Sequence, residues 1–168
     1  FTYPTVSGVI GTVQWEGFRE GVDDVRYATT LELAIQNAPA DKADLARQAR
    51  EWNLEIEAGT RGIDPEPLRR SIAVARRCGA TLLRSVPEVG RGEIPSPEAF
   101  VASVRCVLPD LEAAGMRLSL ENTRIPAAQL SQAIDSIGSS LVGITLDTVN
   151  SLAIPEGTEQ VARTLARH

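Results

Sequence analysis

The sequence is poor in cysteine, histidine and aromatic residues, with two cysteines, one histidine and 4% Phe, Trp and Tyr. Cys78 and Cys106 lie far apart and inside helix-like stretches, so they lack the close spacing of a metal clip or a redox motif. We predict that both are reduced and serve as packing residues.

Long apolar runs are also missing from the sequence. No stretch approaches the roughly 20 apolar residues that a transmembrane helix requires. The first residues show no basic segment followed by a long apolar one, as a signal peptide would. The sequence therefore predicts a cytoplasmic protein with no membrane partner.

Positive charge is in deficit, with 17 Lys and Arg against 22 Asp and Glu and a formal net charge of -5. No basic stripe interleaved with aromatic residues is present, so we expect no nucleic-acid partner. The remaining composition, 43% hydrophobic and 23% charged, is typical of a globular chain that buries a core. We predict a single domain over residues 1–168.

Short runs rich in Leu, Ile and Val alternate with longer amphipathic runs, a pattern that predicts repeated strand and helix units with a parallel sheet. The predicted strands cover 30–36, 54–58, 81–86, 117–121 and 142–147, with the tail of a sixth at 1–3. The predicted helices cover 40–52, 64–79, 96–115, 126–138 and 158–167, and three of them begin beside a proline and end at a glycine. Pro109 predicts a kink or a break in the third helix.

Polarity alternates along the strands, as where Leu118 and Leu120 alternate with Ser119 and Glu121. A doubly wound sheet has strands that are apolar on both faces and a GxGxxG turn, which this sequence lacks. The alternation instead favours a β/α barrel, whose apolar strand faces meet a ring of helices. A complete barrel has about 250 residues and eight strands. The sequence therefore predicts an α/β fold, a partial (β/α)8 TIM barrel of five to six strands that is truncated at both ends.

Two of the predicted strands end on a carboxylate, Glu121 in "RLSLENT" and Asp147 in "VGITLDT". Hard divalent cations such as Mg²⁺ and Mn²⁺ prefer carboxylate oxygens, and adjacent strands lie only about 5 Å apart. The two acids are therefore candidate metal ligands. The alternative is that each acid forms an Asx turn or a helix N-cap, and the sequence leaves this open.

Four further residues are candidates at the same strand ends. Arg84 and Glu57 are candidate substrate-binding residues, although pairing of the arginine with the glutamate is the favoured interpretation. Asn122 and Asn150 would position a substrate hydroxyl or donate to the acids, or would simply satisfy the backbone of a turn.

Several segments together resemble one known family: "FTYP", "QNAPADK", "LEIEAGTRGIDPEPLRR", "ARRCGATLLRSV", "LSLENT" and "VGITLDTVNSL". They resemble the xylose isomerase-like TIM barrels, which include sugar phosphate isomerases and epimerases and endonuclease IV-like enzymes. The resemblance implies that Glu121 and Asp147 bind a divalent metal together with a histidine and a second glutamate from later strands. It implies Mn²⁺ or Mg²⁺ as cofactor, with Co²⁺ or Zn²⁺ as alternatives. His168 is not carried over as that histidine, because it ends a helix, and Thr123 stands where many relatives have histidine.

The implied function is metal-dependent isomerisation or epimerisation of a sugar or sugar phosphate through an enediolate. The catalytic proton carrier would be Glu121 or the second glutamate, and this chain alone would be inactive. One alternative is a non-catalytic half-barrel that binds a sugar or pairs with another chain, and its open sheet edges would favour a homo-oligomer. Another is a metal-dependent abasic-site endonuclease, which the single histidine and the negative charge disfavour.

Overall fold

A computed structural model of the chain describes residues 13–15, 29–34, 41–87, 94–152 and 154–168. The strands of its sheet are β1 Val13–Trp15, β2 Thr29–Ala34, β3 Glu55–Arg61, β4 Leu82–Val86, β5 Arg117–Glu121 and β6 Val142–Thr145. The helices are α1 Lys42–Glu51, α2 Pro65–Arg77, α3 Pro97–Ala114, α4 Ala127–Ile137, α5 Thr148–Leu152 and α6 Gly157–Leu165.

The strands follow one another across the sheet in the order β1-β2-β3-β4-β5-β6. Each neighbouring pair from β2 to β6 is parallel, and β1 pairs with β2 in the antiparallel direction. A sequential parallel order without a reversal is the order of a β/α barrel, whereas a doubly wound sheet reverses at its switch point. The described sheet is therefore part of a barrel.

Alternation gives the sheet one apolar and one polar face, as the sequence predicts. Leu83, Leu118 and Leu120 are fully buried in the hydrophobic core. The hydroxyls of Thr60 in β3 and Ser71 in α2 lie 3.1 Å apart, so this face of the sheet meets the helices. The opposite face carries polar side chains, among them Ser119.

The five main strands and five helices of the sequence prediction are confirmed to within a few residues. Helices α3 and α4 end at Gly115 and Gly138, whose φ values of 62° and 69° lie in the left-handed region that favours glycine. The strand predicted at residues 1–3 lies outside the described residues. Strand β1 and the short helix α5 were not predicted.

Two predictions in α3 need correction. The predicted break at Pro109 does not occur, since α3 continues through the proline, which lies on the exposed side of the helix away from the buried stripe of Phe100, Val104, Val107 and Leu111; the alternative of a kink there stays a prediction. Cys106 is exposed, since it lies off this stripe, so it is not a packing residue. Cys78 is fully buried, as predicted.

Within the described ranges, no helix combines the length and the apolar character needed to cross a membrane.

The core of the sheet predicts one stability result. Leu83 lies in central strand β4 and is 0% exposed, so Leu83→Ala should lower the free energy of unfolding by about 2–5 kcal/mol through lost burial and a residual cavity. Val149→Ala is the control, because Val149 is 71% exposed and should change the value by less than about 0.5 kcal/mol. Urea unfolding measures both, and equal effects would contradict the assigned core.

Candidate functional site

Polar side chains collect on the polar face of β3 and β4 and at the carboxyl ends of β5 and β6. Glu57 and Arg84 lie within their strands, and not at the strand ends where the sequence predicts them, because β3 continues to Arg61 and β4 to Val86. Glu121 ends β5 and Asp147 follows β6, at the edge of the sheet at which β/α barrels carry their active sites. One hydrogen-bonded network joins all six candidate residues of the sequence analysis. They are Glu57, Arg84, Glu121, Asn122, Asp147 and Asn150.

Arg84 lies between two carboxylates. Its Nε donates to Glu57 Oε1 at 2.9 Å, and its Nη1 donates to Glu121 Oε2. The pairing with Glu57 agrees with the favoured interpretation of the sequence, and the contact with Glu121 was not predicted. The side chains of Arg84 and Glu121 are 20% and 10% exposed, so water screens this contact only in part.

The register of the sheet explains why Arg84 reaches both acids. Arg84 lies opposite Gly59 on one side and Ser119 on the other. These small neighbours leave space above the strands for the guanidinium. Glu57 precedes Gly59 by two residues and Glu121 follows Ser119 by two, so both acids are diagonal neighbours on the same face.

The ionisation of Glu57 reflects this crowding. Burial and the negative charge of Glu121 raise the pKa of Glu57 above its ordinary value. Both carboxylates contact the same guanidinium, that of Arg84.

The second oxygen of Glu121 accepts a hydrogen bond from a residue of α5, the helix that follows β6. Asn150 Nδ2 donates to Glu121 Oε1 at 3.1 Å and to the carbonyl of Asn122 at 3.0 Å. Both oxygens of Glu121 are therefore engaged, one with a charged donor and one with a neutral amide.

Asp147 caps the short helix α5. Its Oδ1 accepts from the backbone N–H groups of Val149 at 2.8 Å and Asn150 at 3.2 Å. This is the N-cap that the sequence left open as an alternative. Capping occupies one carboxylate oxygen, so it does not exclude a ligand role for the other, and that role stays a prediction.

Asn122 binds the end of β5 to the segment that follows β6. It is 2% exposed. Its Nδ2 donates to Asp147 O and Ser151 Oγ, both at 3.0 Å, and its Oδ1 accepts from the Asp147 N–H at 2.5 Å. The amide is therefore engaged with protein atoms that fix Asp147, and its predicted contact with a substrate stays a prediction.

The donors at this edge suit a hard cation but form only part of a site. Carboxylate oxygens are the ligands that Mg²⁺ and Mn²⁺ prefer, and Glu121 and Asp147 provide them from adjacent strands. In the described part of the chain, no group of three or more His, Cys, Asp or Glu side chains is arranged to hold a metal ion. His168 lies elsewhere, with Nε2 2.8 Å from Ser131 Oγ in α4.

One site residue, Ser151, escaped the sequence analysis, and the structure adds one feature at Thr123, which the sequence analysis names only as a departure from the family. Ser151 is the fully buried residue of α5, and its hydroxyl donates to Asp147 O at 2.8 Å. Its place in the run "DTVNS" is the signal that could have identified it. Thr123 follows Asn122, and its buried Oγ1 has no hydrogen-bond partner among the described residues. Nothing in the sequence signals that unpaired hydroxyl.

Comparisons with known proteins agree with the barrel assignment. The sequence matches no protein-family model. It is 29% identical over 125 residues to the 3-oxo-isoapionate decarboxylase of Pectobacterium atrosepticum, a match that covers 74% of this chain and 45% of that protein. The chain thus spans about half the length of this curated relative.

Solved structures show the same fold. An L-ribulose 3-epimerase matches with a TM-score of 0.71 and 20% identity over 84% of this chain and 57% of its own. A xylose isomerase domain protein from Planctomyces limnophilus matches with a TM-score of 0.64 and 14% identity over 82% of this chain and 61% of its own. The predicted resemblance is confirmed at the level of fold, and the chain forms part of a TIM barrel like those of these two proteins.

The raised pKa of Glu57 predicts a pH effect on stability. Ionised Glu57 is disfavoured more in the folded than in the unfolded chain, so its ionisation opposes folding at neutral pH. This cost is lost as the pH falls through the folded-state pKa towards about 4.3, the ordinary value of a glutamate.

The test compares the free energy of unfolding of the wild type with that of Glu57→Gln at each pH. The wild-type value minus the variant value should rise as the pH falls from about 7 to about 4.3. Urea unfolding at each pH measures both proteins. Because the difference is taken at the same pH, the titration of the other acids largely cancels. A difference that is constant or falls over this range would contradict the assignment.

Proposed function

We propose that the protein carrying this chain is a divalent-metal-dependent isomerase or epimerase that acts on a sugar or sugar phosphate. The observation that carries the proposal is the network at the strand ends, in which Asn122 and Asn150 connect Glu121 to Asp147. Part of the support is the fold, which the chain shares with an L-ribulose 3-epimerase.

In this proposal Glu121 and Asp147 hold the cation with one carboxylate each. The bound cation would polarise a carbonyl and the adjacent hydroxyl of the substrate, which lowers the free energy of an enediolate. The protein side chains fix where the cation lies: Asn150 orients Glu121, and Asn122 fixes the backbone of Asp147.

The proton carrier is a separate assignment. Arg84 donates to Glu121 and would have to release it before that carboxylate could take up a proton. We therefore assign Glu121 to holding the cation, and proton transfer to the second glutamate that the resemblance implies.

A second candidate function is decarboxylation of a 3-oxo sugar acid. The similarity to the 3-oxo-isoapionate decarboxylase favours it. Two exposed arginines at the same edge, Arg61 at the end of β3 and Arg124 after β5, add the positive charge that a substrate carboxylate or phosphate requires. A cation held by Glu121 and Asp147 would supply positive charge that suits either reaction.

Isotope exchange and product analysis on the full-length protein test these functions. With Mn²⁺ in D₂O, an epimerase incorporates deuterium beside the carbonyl of a ketose such as L-ribulose, and a decarboxylase releases CO₂ from a 3-oxo sugar acid. Glu121→Gln and Asp147→Asn should each lower the rate by about 100-fold or more, since even outer-shell changes cost about 10–100-fold.

Glu112→Gln is the matched control, because Glu112 is an exposed carboxylate on α3 away from the site. It should leave the rate unchanged. Activity that persists in Glu121→Gln, or that chelation of metal does not affect, would contradict the proposal.

For the 168-residue chain alone, we expect weak Mn²⁺ binding and no measurable turnover, because two carboxylates provide only part of a ligand set. Calorimetry with Mn²⁺ measures the binding. Stoichiometric binding with a dissociation constant in the low micromolar range, which corresponds to a binding free energy of about -8 kcal/mol, would contradict this expectation. Sizing of the chain addresses the half-barrel alternative, since a monomer with one cooperative melt argues against pairing through open sheet edges.

A further inference from the structure

We infer that Arg84 is a positioning residue that takes the place of a cation at Glu121 and must release this carboxylate before a divalent cation binds. The inference rests on the proposed function, in which Glu121 is a metal ligand. It adds that Arg84 competes with the divalent cation for Glu121.

The first argument is the position of the charge. Arg84 contacts both Glu57 and Glu121, and all three side chains are 20% exposed or less. Without Arg84, two acids would face each other in a poorly hydrated place, and the charge of Glu121 already disfavours ionisation of Glu57. A cation between the two carboxylates relieves this repulsion, and in this structure the guanidinium provides it.

The second argument is that two cations cannot share the position without cost. Arg84 donates to Glu121 Oε2, while Asn150 Nδ2 holds Oε1. A divalent ion at Oε2 would lie directly beside the guanidinium, and like charges repel strongly where water is scarce. The neutral Asn150 amide imposes no such repulsion.

The third argument is that Arg84 has another acid to bind when Glu121 is released. Its Nε already donates to Glu57 Oε1 at 2.9 Å, from the side of the guanidinium that faces away from Glu121. Its neighbours across the sheet, Gly59 and Ser119, are small residues. Release therefore leaves Arg84 paired rather than isolated.

Mn²⁺ binding by the 168-residue chain tests this inference. Arg84→Met keeps the apolar stem and removes the charge, so it should lower the Tm without metal and raise the affinity for Mn²⁺ by about tenfold or more. Added Mn²⁺ should then raise the Tm of Arg84→Met more than that of the wild type. The gain should disappear in the double variant Glu121→Gln with Arg84→Met.

Arg69→Met is the matched control. Arg69 pairs with Asp110 at 3.0 Å on the helix side of the fold, so its removal also breaks an ion pair. This variant should bind Mn²⁺ like the wild type. If Arg84→Met does not fold, the comparison uses Glu57→Gln with Arg84→Met, which removes one acid as well as the arginine.

Mn²⁺ affinity that is the same in the wild type and in the Arg84→Met proteins would overturn the inference, as would a gain that survives Glu121→Gln. An absence of Mn²⁺ binding in every variant would also overturn it. The proposed function fails by a different result, namely full activity of the Glu121→Gln full-length protein. The two failures are therefore distinguishable.

Discussion

The contact of Arg84 with two carboxylates is the constraint on which the polar face of this sheet depends. Three strands contribute one acidic or basic side chain each, and none of the three is more than 20% exposed. Breaking a partly buried pair by removing one partner leaves an uncompensated charge, and this is more costly than the net benefit of the intact pair. The arginine is therefore less a source of stability than a condition for having two acids on this face. Arg84 lies opposite Gly59 and Ser119, and these small residues suit a long side chain between them.

The second constraint is the attachment of helix α5. This helix has five residues, and Val149 and Leu152 on it are 71% and 76% exposed. These two side chains therefore contribute little apolar packing, and the amides of Asn122 and Asn150 and the hydroxyl of Ser151 attach α5 to the end of β5. Hydrogen bonds are directional, whereas apolar contacts tolerate sliding. A helix held in this way places Asp147 in a defined position relative to β5.

Much of the fold could be predicted because it depends on local signals. Alternating polarity identified the faces of the strands, and prolines and glycines identified the ends of the helices. The strand ends also drew attention to Glu121 and Asp147. These features depend on residues close together in the sequence, so no knowledge of long-range contacts was needed.

The contacts that were not predicted depend on the register between strands, which the sequence does not reveal. Arg84 could be paired with Glu57 by charge alone, but its contact with Glu121 requires knowing that the two lie diagonally on adjacent strands. The same holds for Asn122, whose partners Asp147 and Ser151 are 25 and 29 residues away. Exposure of Cys106 likewise depended on which side of α3 meets the core. Each miss is a contact or a face that only the assembled sheet defines.

Asp147 shows why cap and ligand need not be competing interpretations. A carboxylate that accepts two backbone N–H groups through Oδ1 is fixed in rotation, and its Oδ2 is then fixed as well. An enzyme that stabilises developing charge gains when its ligands are positioned before the substrate arrives, because no reorganisation is then needed during the reaction. The two proposed reactions, epimerisation and decarboxylation, would share this requirement. The capping bonds at Asp147 therefore provide a rigid half of the proposed site.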